Sequence, residues 1–77
     1  MKYVIFQDES FAIFSDWIEH QAVAKTNLSK PVGAGMISLY PGQEGIEVYC
    51  NGASISLDLA SRKEQDAEII MTALMRR

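Results

Sequence analysis

Cysteine is nearly absent: a single thiol, Cys50, stands among 77 residues. One thiol forms no internal disulfide, and with His20 as the sole histidine no Cys/His spacing suits a structural zinc site. That usage fits a reducing compartment. Long hydrophobic runs are missing too, since the apolar stretches fall far short of the roughly 20 residues that cross a bilayer. The first residues show no basic segment followed by a sustained apolar stretch and a small-residue cleavage site, so a soluble cytoplasmic protein without membrane attachment is expected. Positive charge is the third shortage. Seven Lys and Arg against ten Asp and Glu leave a formal charge of −3, whereas phosphate backbones are bound by clustered Lys and Arg. Direct nucleic-acid binding is therefore not expected, and a basic protein surface is the better charged partner.

Apolar residues make up 48% of the chain and charged ones 22%, which is globular usage and not that of a disordered segment. The length suits one domain over residues 1–77, because two cores would each be too small to stand alone. Stability of about 4 to 12 kcal/mol is expected for a domain this small.

The runs "KYVIF" (2–6) and "FAIFS" (11–15) are β-branched and aromatic and are separated by "QDES", which predicts a hairpin. With Asp8 and Glu9 as the turn, Ile5 would face Ala12 and Val4 would face Ile13. Both faces of this pair are apolar, so helices or a second copy of the chain must cover them; a homodimer or higher oligomer is expected on that ground. "SDWIEHQAVAKTN" then changes period and predicts a helix over about 16–26, with Asp16 and Glu19 spaced as a capping box. Trp17, Ile18, Ala22 and Val23 form its apolar stripe, while Asp16, Glu19, His20 and Lys25 are expected on the wetter side. "LSKPVGAG" reads as loop, because Pro31 disfavours helix before it and Gly33 and Gly35 weaken regular structure.

"MISLY" and "IEVYC" predict strands joined by "PGQEG", and Asn51-Gly52 predicts a tight hairpin from "IEVYC" into "ASISLDL". In that register Cys50, Val48, Ile46 and Ile55 share one face, where a small thiol behaves as a hydrophobe. "SRKEQDAEIIMTALMRR" predicts the last helix, with Ser61 and Glu64 as a capping box, and Ala67, Ile70, Met71, Leu74 and Met75 as its core stripe. Glu64 and Asp66 early, and Arg76 and Arg77 late, suit the helix dipole. The class expected is α+β, an antiparallel sheet of about five strands with two helices in the order β-β-α-β-β-β-α.

Chemistry-bearing residues are sparse. Asp16 and His20, four apart on a helix, are spaced to share a metal or a proton, although capping and a solvated surface produce the same run. Thiol catalysis at Cys50 needs an exposed, activated sulfur, and the alternation turns it inward. No metal, no cofactor and no catalytic set is expected. "GAG" at 33–35 resembles part of a dinucleotide fingerprint, but Ser38 stands where the next glycine belongs and a strand follows in place of a helix. Met36, Met71 and Met75 read as gap-fillers in the core.

Two surfaces remain as candidates. Trp17, a core anchor or an interface hot spot, lies in sequence among Asp8, Glu9, Asp16 and Glu19, with His20 beside them: an acidic patch with an aromatic centre. Gly33, Gly35, Tyr49, Ser54 and Ser56 form a possible ligand patch between subunits, where the polar row beside Glu47 and Asp58 is otherwise a solvated sheet face.

The runs "IFSDWIEHQAVA" and "ASISLDLASRKEQDAEII", with the small size and two-strand opening, resemble short uncharacterised proteins encoded by phages and prophages. The resemblance implies a protein that occupies a host protein, including bacterial immune complexes, or one that sequesters nucleotide signals as an oligomer. It carries no catalytic motif. The leading expectation is thus a non-enzymatic interaction module, an inhibitor of a host defence protein acting through an acidic surface; the alternative is an oligomeric binder of nucleotide-like ligands.

Overall fold

The computed structural model describes residues 1–76. Strands β1 (Lys2–Phe6), β2 (Phe11–Phe14), β3 (Pro31–Gly42) and β4 (Gly45–Asn51) form one antiparallel sheet in the order β2-β1-β3-β4. Helix α1 (His20–Ala24) lies against one face, and α2 (Glu64–Met75) against the other. Two short strands, β5 (Ala53–Ser54) and β6 (Leu59–Ala60), pair separately. The class is α+β with two helices, as expected, but the strands divide into four and two.

Because β1 is internal and period-two, its residues alternate between two cores. Tyr3 and Ile5 pack with Ile37, Val48, Cys50 and Ile70; Val4 and Phe6 pack with Ala34 and, from the covering elements, Val23, Ala24, Leu57 and Leu59. The apolar faces of the first hairpin are thus covered from within one chain, and the reason given for a second copy falls away. The hairpin register differs from expectation by one residue: Val4 faces Ala12 and Ile5 faces Phe11. The turn has three residues, not two. Glu9 N–H bonds the Phe6 carbonyl at 2.8 Å and Phe6 N–H bonds the Ser10 carbonyl at 2.9 Å. Glu9 takes a left-handed φ of 68°, the geometry of a type I turn followed by a bulge residue. The Asp8 carboxylate accepts from Ser10 N–H and fixes the turn.

The segment expected as loop, "PVGAG", is instead the first half of the central strand, paired to β1 from Phe6↔Pro31 to Lys2↔Met36. Proline is tolerated as the first residue of a strand. The glycines let neighbours close in: a side chain at Gly33 would meet the Asp66 carboxylate, and one at Gly35 the Asn51 carbonyl.

Asn51-Gly52 does not make the expected hairpin. Asn51 ends β4 opposite Met36, Gly52 takes φ 78°, and the chain leaves the sheet to run over β3. Residues 55–58 turn, so Ile55 is 98% exposed and not beside Val48. Gly52 O accepts from Ser61 N–H, and Ser54 Oγ from Leu57 N–H. These bonds replace the sheet ladder the sequence suggested.

Helix α1 is shorter than the expected span over 16–26. Ser15 Oγ accepts from Trp17 N–H and the Ser15 carbonyl from Ile18 N–H, which holds residues 15–18 in a turn. Glu19 makes no side-chain cap bond. His20, expected to be wet, is buried: its Nε2 donates to the Gly35 carbonyl at 3.0 Å, and its ring meets Phe14 edge-on. A carbonyl only accepts, so the proton sits on Nε2.

At α2 the expected box of Ser61 and Glu64 is likewise absent; Lys63 is the N-cap, at φ 53°, without a side-chain cap bond. Ile70 is fully buried and Met75 half exposed. Arg77, assigned with Arg76 to the helix end, lies outside the described residues.

Candidate functional site

Two places merit weighing as sites, one inside the molecule and one at its rim. Inside, the Asp66 carboxylate, wholly buried, accepts from the Tyr3 phenol at 2.5 Å, from Arg62 N–H at 2.9 Å and from Arg62 Nε at 2.7 Å. The Ser61 hydroxyl lies 2.6 Å from the phenol oxygen. A phenol has one hydrogen, which goes to the carboxylate, so the serine supplies the proton of that second bond. Burial, with Asp66 beside it, holds the Tyr3 phenol protonated far above its usual range. Among the described residues no buried side-chain polar atom lacks a partner. A satisfied network with no exposed atom on Tyr3 or Asp66 ties α2 to the sheet. It offers a substrate nothing to touch.

Sequence reasoning placed Asp66 only in the helix dipole. Its signal was positional: residue 66 stands four before Ile70 and eight before Leu74, on the face that the apolar stripe buries. A carboxylate on such a face requires donors, and Tyr3 alternates onto the same side of β1.

Cys50 lies in this core, 8% exposed. Burial, reinforced by the nearby Asp66 charge, pushes its thiol from 9.0 up to about 11. In the unfolded chain the thiol gives up its proton first, so between pH 9 and 11 the folded state binds more protons and stability falls as pH rises. A loss on the order of 1 kcal/mol by pH 10 is expected from this group. Urea unfolding at pH 8 and pH 10 checks it: Cys50→Ala should show a flatter dependence than the native protein.

At the rim, the six residues grouped as an acidic surface fall into three places. Asp8 and Glu9 form the turn before β2; Asp16, Trp17 and Glu19 follow its other end; His20 is in the core. Four residues of strand separate the first two groups by about 13 Å. Asp16 and His20 have different partners: the Asp16 Oδ1 lies 3.2 Å from the Met1 ammonium, and the His20 ring bonds the Gly35 carbonyl in the core. No group of three or more His, Cys, Asp or Glu among the described residues is arranged to hold a metal ion.

Trp17 is 93% exposed, so the core-anchor alternative is overturned. Its indole borders a shallow depression lined by Met1, Ile13, Phe14, Ser15 and Asp16. Beyond the opposite end of β2 a second, larger cleft opens between the hairpin turn and α2, lined by Asp8, Glu9, Glu68, Ile69 and Ala73, with Arg76 as its one cation among the described residues.

The residues expected as a ligand patch are not brought together around a cavity. Gly33 and Gly35 are interior to β3 with their open sides filled by Asp66 and Asn51. Ser54 is buried, whereas Ser56 is exposed and accepts from Gln21 N–H. Tyr49 is half exposed on β4, where its hydroxyl donates to Glu47 and its ring meets Tyr40 edge-on.

No helix among the described residues is long and apolar enough to cross a membrane. The chain matches no family model, no curated protein and no solved structure.

Proposed function

We propose that this protein is a non-enzymatic interaction module that docks on a basic surface of a partner protein, with Trp17 as its anchor. One observation carries the proposal: an indole left 93% in water beside an apolar depression, flanked by Asp16 and Glu19. Tryptophan is the side chain most enriched among interface hot spots. Burying its surface of roughly 200 Å² is worth about 5 kcal/mol before ordering costs, which is enough to dominate a small interface. The carboxylates near it, and the net charge of −3, suit a cationic partner.

The resemblance to phage and prophage proteins gives this reading its finer form. The partner is then a host protein of the bacterial cytoplasm, such as a defence complex, which the module occupies and inhibits. The alternative of an oligomeric nucleotide binder has less to support it, since Gly33, Gly35 and Ser54 are enclosed.

Capture from bacterial lysate with the native protein and with Trp17→Ala tests the anchor. An exposed residue leaves stability within about 0.5 kcal/mol, so the variant should fold normally and lose its partner by about 30-fold, the effect of a 2 kcal/mol hot spot. Equal recovery by both proteins overturns the assignment.

A further inference from the structure

The sheet has an open edge at β2, which pairs only with β1. Antiparallel pairing alternates which residues bond their neighbour. Phe6 N–H bonds the Ser10 carbonyl, so in the register Val4↔Ala12 and Lys2↔Phe14 the backbones of Ala12 and Phe14 face β1. Those of Phe11 and Ile13 therefore face away, presenting two N–H and two C=O groups. Natural edges are guarded by shortness, a charge, a proline or a bulge. β2 is short, at four residues, but Phe11-Ala12-Ile13-Phe14 holds no charge and no proline, and its ladder is regular. The opposite edge, β4, carries Glu47.

Both clefts described above abut this edge. Ser10, immediately before β2, lines the acidic one, and Ile13 and Phe14 line the apolar one beside Trp17. Among the described residues three carboxylates meet one guanidinium in the acidic cleft, and bonds from the Ser10 hydroxyl and amide hold the Asp8 carboxyl below its usual range, hence ionised.

We propose that the partner binds by adding a strand to β2: an extended peptide segment, apolar at its middle, with Lys or Arg at the end lying in the Asp8–Glu9–Glu68 cleft and a large apolar side chain at the end lying against Trp17. This rests on the reading of the protein as an interaction module and names how the partner is held. Backbone bonds to Phe11 and Ile13 supply affinity, and the two clefts supply specificity and direction. A second copy is a poorer occupant. Residues 7–19, which it would bring to the edge, contain four carboxylates and no Lys or Arg, so the segment offers the acidic cleft no cation.

The test titrates the 15N-labelled protein with the acetylated, amidated peptide KRTVTVLF and its reverse, FLVTVTRK, which cover both strand directions and contain no indole to mask Trp17. One of them should slow hydrogen exchange at the Phe11 and Ile13 amides at least tenfold and shift Trp17 emission. Exchanging its Lys and Arg for Glu should weaken it at least tenfold. Methylating alternate backbone nitrogens in two phases should cost at least tenfold in one phase and little in the other, because only alternate amides of an added strand face β2. Failure of both peptides to bind, or equal tolerance of both methylation phases, overturns the proposal. So does exchange protection that grows with protein concentration in the absence of peptide, which would identify a second copy as the occupant. A peptide that shifts Trp17 emission without protecting Phe11 and Ile13 overturns strand addition while sustaining Trp17 as anchor. Undiminished protection by the peptide in Trp17→Ala supports strand addition and overturns the anchor.

Discussion

Asp66→Ala is expected to lower the free energy of unfolding by about 3 to 5 kcal/mol, the usual cost of removing one partner from a buried ionic network. The substitution strips the Tyr3 phenol of its carboxylate acceptor, and Arg62 of an acceptor for both its backbone N–H and its Nε. It also leaves a void beneath Gly33, whose missing side chain is what allows the carboxylate to lie there. Against a total of about 4 to 12 kcal/mol for so small a domain, the variant should sit near the edge of folding. Urea titration followed by far-ultraviolet circular dichroism measures the loss. Tyr3→Phe should cost about 1 to 2 kcal/mol, since it leaves Asp66 two donors. The two losses should not add, because the groups touch. A cost below about 1 kcal/mol for Asp66→Ala would mean that apolar contacts at Ile70 alone hold α2 in place.

The second large effect is expected at Gly35. An added methyl there falls inside van der Waals contact with the Asn51 carbonyl oxygen, a backbone atom that cannot swing aside as a side chain can. Gly35→Ala must then push β3 and β4 apart at the end where Met36 pairs Asn51, and disturb the carbonyl that accepts from His20. A loss of about 3 kcal/mol is at the upper end for overpacking and corresponds to a fall in melting temperature of roughly 12 to 24 °C for a domain of this size. Scanning calorimetry reads it directly. An unchanged melting temperature would show that the β4 end yields freely.

These two positions also show where the sequence is legible. The hairpin of β1 and β2, the strands around Ile37 and Val48, the inward Cys50 and the last helix all follow from local periodicity, because each is set by residues within one element. Gly33 and Gly35 read as loop for a sound local reason, since glycine weakens a strand interior. Their purpose appears only when Asp66, 33 residues away, and Asn51 arrive against them. His20 reads as solvated by type, yet one carbonyl and one aromatic ring suffice to bury it. Asn51-Gly52 carries a strong local turn signal, but a turn signal does not specify where the following chain goes; the bonds of Ser54 and Ser61 take it across the sheet. At the candidate site, Trp17 and its acidic neighbours were visible as types. That Asp8 and Glu9 lie at the far end of β2 from Trp17 was implicit in the hairpin, whereas the cleft shared with Glu68 depends on how α2 packs.

The contact between Tyr3 and Asp66 spans 63 positions. During translation β1 therefore leaves the ribosome well before α2, and its tyrosine has no acceptor until that helix has emerged as well. Until then Tyr3 and Ile5 lack the lid that Ile70 provides, so a nascent chain stalled before residue 66 displays a sticky, half-built sheet of the kind that chaperones and proteases recognise.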